Sequence, residues 1–252
     1  MRSEYELRKE MVEIGRRLYE KELVAASDGN LSARVSDNEF LITPSGTCLG
    51  FLKSSELVLI DGEGRRLQGG QKPTSEYRLH LEVYRLREDV GAVVHAHPPL
   101  CTAFSVAGVN LEECVIPEVV FTLGAIPTAE YATPTTEEPP RVIGEYIPRC
   151  DAIILDRHGT LTVGETLTEA YFKLEKLEHS AKIILSARML GKVKVLTTEQ
   201  VERLMKARKD LGLKGKIIRC VHCTDSSCPT EGGGDQKLVE TISSEVLKII
   251  HG

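Results

Sequence analysis

Short runs of strand-forming residues near the start of the chain end in connections too short to carry a crossover helix. Residues 31–35 and 39–43 are separated only by Ser36-Asp37-Asn38, and residues 57–60 run straight into Asp61-Gly62, with Gly64 close behind. Parallel strands need a connection of about a dozen residues or more, whereas antiparallel strands close through a tight turn, and Asp-Gly is a strong signal for one. Helical patterns alternate with these runs. Leu7, Met11, Ile14 and Leu18 recur at three to four among charged residues, predicting an amphipathic helix over 3–23. A second is expected over 75–87, short ones near 100–107 and 140–147, and long ones at 167–190 and 198–211. The apolar runs at 92–97 and 152–155 are read as buried strands. The fold class expected is α/β, with helices packed on a mixed, mostly antiparallel sheet.

One main domain is expected over 1–212. Beyond it the composition changes to a cysteine-bearing, glycine-containing linker at 213–235 and an amphipathic C-terminal helix at 236–252. The net charge of −5 comes from 32 Lys and Arg against 37 Asp and Glu, with no basic block, so no nucleic-acid partner is expected. No apolar run of about 18 residues and no apolar leader segment is present, so membrane insertion is not expected and the location is read as cytoplasmic. Seven cysteines scattered over the chain read as free or metal-binding thiols rather than a disulfide framework.

The chemistry concentrates in a few places. His95-Ala96-His97 ends a strand, where period-two alternation puts both imidazoles on one face, a pair able to hold a divalent metal such as zinc. His158 follows the second buried strand and precedes Gly159, and three imidazoles with an open fourth position make a catalytic rather than a structural zinc site. Glu76, at the start of a helix, could ligate the metal or move a proton, and also suits a helix N-terminus as a carboxylate. Gly29-Asn30, Ser45-Gly46 and Thr74-Ser75 offer backbone N–H groups and hydroxyls at turns and at a helix start, a combination suited to a phosphate. In the tail, Cys220, His222, Cys223 and Cys228 offer up to four ligands. The spacing lacks a second paired half, and free thiols are the favoured reading.

Five segments together resemble the class II aldolase and adducin family. They are Ser-Asp-Gly-Asn-Leu-Ser at 27–32, Ile-Thr-Pro-Ser-Gly at 42–46, Lys-Pro-Thr-Ser-Glu at 72–76, Val-Val-His-Ala-His-Pro at 93–98 and Arg-His-Gly at 157–159. The resemblance covers about residues 5–210. It implies an α/β/α layered fold around a largely antiparallel sheet, in a homotetramer with sites at subunit boundaries. It implies Zn2+ on His95, His97 and His158 with Glu76 as a further ligand, and a substrate phosphate held by Gly29, Asn30, Ser45, Gly46, Thr74 and Ser75. His80, His179, His222 and His251 match no ligand position.

The reaction implied is cleavage of a ketose 1-phosphate of the fuculose type to dihydroxyacetone phosphate and an aldehyde, with Glu76 moving the proton. The family's aldehyde-side tyrosine falls on Ile116, so that role is not carried over. Glu118, two residues on, is the acid/base candidate in its place, with a polar loop contact as the other reading, and Tyr131 lies nearby in sequence. Epimerisation of a pentulose 5-phosphate or dehydration of methylthioribulose 1-phosphate on the same scaffold are the enzymatic alternatives. A non-catalytic adducin-like module is disfavoured because all three histidines and the glutamate are present. The helix at 236–250 either packs on the core or a neighbouring subunit, or resembles the peptides that carry such enzymes into bacterial microcompartments.

Overall fold

The computed structural model describes residues 3–220. The His222, Cys223 and Cys228 thiol-and-imidazole cluster and the helix expected at 236–250 lie outside them. Helix α1 (Glu4–Glu20) opens on a capping box, in which the Ser3 hydroxyl accepts from the Glu6 N–H and the Glu6 side chain reaches back to Ser3. It buries Leu7, Met11, Ile14 and Leu18, the stripe that the spacing predicts.

Among the described residues eight strands follow: β1 (Asn30–Ser36), β2 (Glu39–Ile42), β3 (Val58–Asp61), β4 (Arg66–Gln68), β5 (Ala92–Ala96), β6 (Thr128–Ala129), β7 (Ala152–Leu155) and β8 (Gly159–Gly164). They form one sheet in the order β4-β3-β2-β1-β5-β8-β7-β6. The short connections do force antiparallel pairing, and only β6 and β7 run parallel.

Alternation along the strands sends one set of side chains to each face. Leu31, Ala33, Leu41, Leu59 and Val94 pack with α1 and the long helix α6 (Leu167–Leu190). Phe40, Ile42, Val58, Ile60, Val93, Leu161 and Val163 pack with α2 (Tyr77–Leu86) and α5 (Glu138–Ile143). Helix α3 (Pro99–Val106) joins β7 and the far half of α6 in a third cluster. The layering is therefore α/β/α. Helices α4 (Pro117–Thr122) and α7 (Thr198–Asp210) lie beside one another at the edge, joined through Val120 and Val201.

Two helices differ from their expected bounds for local reasons. Helix α2 starts at Tyr77 because Glu76 is its N-cap residue. Helix α5 starts at Glu138, with Pro139 and Pro140 in its first turn, where their missing N–H groups leave no bond unmade, and it stops before Gly144. The chain also stays on the core past residue 212. Asp151 N–H donates to Lys216 O at 3.0 Å, Ala125 N–H to Ile218 O at 2.9 Å, and Cys220 is buried in the cluster that holds Cys114.

Candidate active site

The histidines come together because β5 and the turn between β7 and β8 end on the same side of the sheet. Asn30 is paired with His95, and Ala96 with Thr160. His97 stands just past β5, and His158 sits in the tight turn that leads into β8, its N–H donating to Leu155 O at 3.0 Å. One nitrogen from each of His95, His97 and His158 lies within 4.8 Å of the others. Glu76, at the head of α2, faces them, with Oε2 3.3 Å from His95 Nε2 and Oε1 3.5 Å from His158 Nε2. His95 is fully buried, while His158 and Glu76 keep a small opening to solvent.

Protonation follows from the hydrogen bonds. His95 Nδ1 lies 2.9 Å from Thr160 O, a carbonyl that only accepts, so the ring proton is on Nδ1 and Nε2 presents a lone pair. That lone pair faces His97 Nε2 at 3.0 Å and the Glu76 carboxylate. Burial, with His158 beside it, pushes the His95 pKa down to about 3. Burial together with His95 and His158 pushes His97 down to about 4. Neutral imidazoles and a carboxylate aimed at one point repel unless a cation lies among them, and this donor set fits a divalent metal. The bond from His95 to Thr160 is the kind of outer contact that orients a ligating imidazole. Asp28 Oδ2 lies 3.6 Å from His97 Nδ1, beyond hydrogen-bond distance.

The residues expected around a phosphate lie on three segments laced to one another. Leu31 N–H donates to Thr43 Oγ1 at 3.1 Å, Thr74 N–H to Thr43 O at 3.0 Å, and Ser45 N–H to Lys72 O at 3.0 Å. Thr74 is buried, whereas Ser45, Gly46 and Ser75 are exposed. Gly29 has φ +76°, and a Cβ there would lie 2.6 Å from Val24 Cγ1 and 3.0 Å from His95 O, so only glycine lets β1 begin this close to His95. Asn30 has one amide proton engaged within the protein: its Nδ2 donates to Glu76 Oε2 at 2.8 Å.

Glu118 is exposed in the first turn of α4, and among the described residues no hydrogen bond or ion pair links it to the histidines. Tyr131, exposed, lies under the Arg157 guanidinium at 4.9 Å, one residue from His158. Sequence reasoning passed over Asp28, Thr160 and His80. For His80 a signal existed, since it lies four residues after Glu76 and so on the same face of the helix.

Residues 9–185 match the family described as the Class II Aldolase and Adducin N-terminal domain. The chain belongs to that family. As a class II aldolase it is a lyase of a metal-dependent family, and His95, His97 and His158 form a group that could hold a metal ion. The L-fuculose phosphate aldolase of Methanococcus vannielii is 42% identical over 177 residues, covering 69% of this class II aldolase and 93% of that protein. A protein of Haemophilus influenzae named 3-oxo-tetronate 4-phosphate decarboxylase is 34% identical over 214 residues, covering 82% and 96% of the two chains. The crystal structure of L-fuculose-1-phosphate aldolase from Thermus thermophilus matches with a TM-score of 0.67 at 31% identity, over 75% of this chain and 98% of that one. Among the described residues no helix is long and apolar enough to cross a membrane.

Proposed function

We propose that this class II aldolase is a zinc enzyme that cleaves a ketose 1-phosphate of the fuculose type to dihydroxyacetone phosphate and an aldehyde. The observation that carries the reading is the convergence of His95, His97 and His158 on one point with Glu76 facing them. Zinc held there would supply a Lewis acid for the negative charge left beside a ketone when the adjacent C–C bond breaks.

The chain's own residues do the rest. Glu76, partly open to solvent, would exchange the proton at the bond-forming carbon of dihydroxyacetone phosphate. Gly29, Ser45, Gly46, Thr74 and Ser75 would hold the phosphate, Ser45 and Thr74 through their hydroxyls because their N–H groups are already bonded, which fixes that carbon relative to the carboxylate. Asn30 keeps one Glu76 oxygen in place, and a phosphate contact from it would use what that bond leaves over. Glu118, exposed on α4, would serve the aldehyde oxygen only across a subunit boundary, as in a homotetramer.

A second reading comes from the Haemophilus relative. Decarboxylation of a 3-oxo-tetronate 4-phosphate also leaves negative charge beside a ketone on a phosphorylated chain, so the same residues could serve it. One assay separates the two. The metal-stripped and zinc-reloaded chain is offered a panel of ketose 1-phosphates, followed by dihydroxyacetone phosphate release, and a 3-oxo-tetronate 4-phosphate, followed by CO2 release. Dihydroxyacetone phosphate is expected from the zinc-loaded chain only, with kcat about 10²- to 10⁴-fold lower in Glu76→Gln. Wild-type rates after complete stripping would sink the metal's role, and CO2 without dihydroxyacetone phosphate would move the assignment to the decarboxylase.

A further inference from the structure

The hydrogen-bond path that starts at Glu76 does not end at Asn30. Asn30 Oδ1 faces His80 Nε2 at 2.5 Å. On the other side of that ring, Nδ1 lies 2.7 Å from Ser32 Oγ, which in turn lies 2.8 Å from the Tyr84 hydroxyl. Asn30, Ser32, His80 and Tyr84 are all buried. Two periods build this line. Asn30 and Ser32 are two apart on β1 and face α2, and Glu76, His80 and Tyr84 are four apart along α2.

The direction of every bond is fixed by its first member. An ionised carboxylate only accepts, so the Asn30 nitrogen faces Glu76 and the amide oxygen faces the ring. That oxygen also only accepts, so His80 carries its proton on Nε2. Burial pushes the His80 pKa down to about 3, and a neutral ring protonated on Nε2 offers Nδ1 as an acceptor. Ser32 donates into Nδ1, and Tyr84 donates into Ser32. The chain of donors therefore points one way, from Tyr84 at the back of the helix to the carboxylate in the site.

We propose that His80 is a positioning residue, whose Nε2–H locks the Asn30 amide with its nitrogen toward Glu76 and thereby holds that carboxylate at the histidine cluster. The two ends of an amide are nearly the same size, so packing alone does not choose between them. Turned over, Asn30 would set its oxygen against Glu76 Oε2 and push the carboxylate out of line with the ligands. Ser32 and Tyr84 act one step further back, by fixing which ring nitrogen carries the proton. The role rests on the reading of Glu76 as the group that moves the proton.

Two variants of similar size separate positioning from packing. The His80→Gln side chain is long enough to present an amide N–H at the place of Nε2, toward Asn30. His80→Asn reaches only the place of Nδ1, toward Ser32. Both are prepared as the full chain and compared with wild type for kcat and KM on a ketose 1-phosphate, for zinc affinity by chelator competition, and for melting temperature.

For His80→Asn, kcat is expected to fall about tenfold or more with KM within about twofold, and zinc affinity to fall about tenfold. His80→Gln is expected to stay within about threefold of wild type in both. Equal kcat and equal zinc affinity in the two variants, or losses that track melting temperature alone, would overturn the role. Where His80→Asn does not fold, Ser32→Ala carries the test: kcat several-fold down at unchanged KM supports the proposal, and wild-type kcat overturns it. A wild-type chain that released no dihydroxyacetone phosphate would remove the aldolase reading, and the order of zinc affinities would still decide what His80 does.

Discussion

Gly159 shows how little room the site leaves at the scale of one residue. A Cβ there would lie 2.4 Å from Ala96 O and 2.7 Å from His97 Cδ2, so the absence of a side chain is what lets the turn bring His158 up beside His97. Gly159→Ala must therefore displace either the end of β5 or the His97 ring. The expected result is a loss of about 1–3 kcal/mol of stability in urea and about a tenfold weaker hold on zinc in a chelator competition. Unchanged zinc affinity would show that the close approach does not position the ligand. Gly46 makes a contrast: its φ is +72° but nothing lies within 4 Å of a Cβ, so only its backbone conformation is constrained. The three histidines and Glu76 were legible in the sequence because strand alternation and five segments in register mark them. The Asn30–His80 bond was not, because its partners are 50 residues apart and nothing local says which strand α2 will lie on.

Among the elements, α2 combines two jobs on one buried side. Leu79 and Val83 pack into the apolar layer, while His80 and Tyr84 carry a polar line between the same helix and β1. A neutral buried histidine gives the helix a pH dependence whose sign can be worked out. The folded-state pKa is about 3 against an ordinary 6.5, so between these values the unfolded chain binds a proton that the folded chain refuses. Stability from this group is complete above about pH 6.5. It is lost as the pH falls toward 3, by up to about 1.4 kcal/mol per pH unit. Denaturant titrations at pH 7, 6 and 5 should show a shallower decline in His80→Gln than in wild type, and identical slopes would count against a neutral His80. Long periodic elements such as α1, α6 and α7 were readable from sequence to within a few residues. Strands β4 and β6, of three and two residues, are too short to show any period and exist only because a neighbouring strand offers them bonds.

At the scale of the whole molecule, the sheet separates the work of folding from the work of the site. The three histidines stand at one end of the central strands, where β5 finishes and the turn into β8 begins. The far end of the same central strands is closed by Arg87, which bonds buried Asp151 at 2.9 Å, and by Lys173, which reaches Asp151 at 2.7 Å. Stripping the metal should therefore lower the melting temperature while leaving the far-UV circular dichroism native. Saturating zinc, at about a thousandfold over its dissociation constant, should return about 4 kcal/mol. His95→Ala should abolish that gain. A chain that unfolds on chelation would mean the layers cannot stand alone. The strand order also sets a schedule. Asn30, Glu76 and His95 are made before the turn that carries His158, which follows some sixty residues after His95, and β8 must insert between β5 and β7 before the third imidazole is in place. A nascent chain on the ribosome has no complete binding place until His158 has been translated, so the full set of three imidazoles is assembled after the strands that carry the first two.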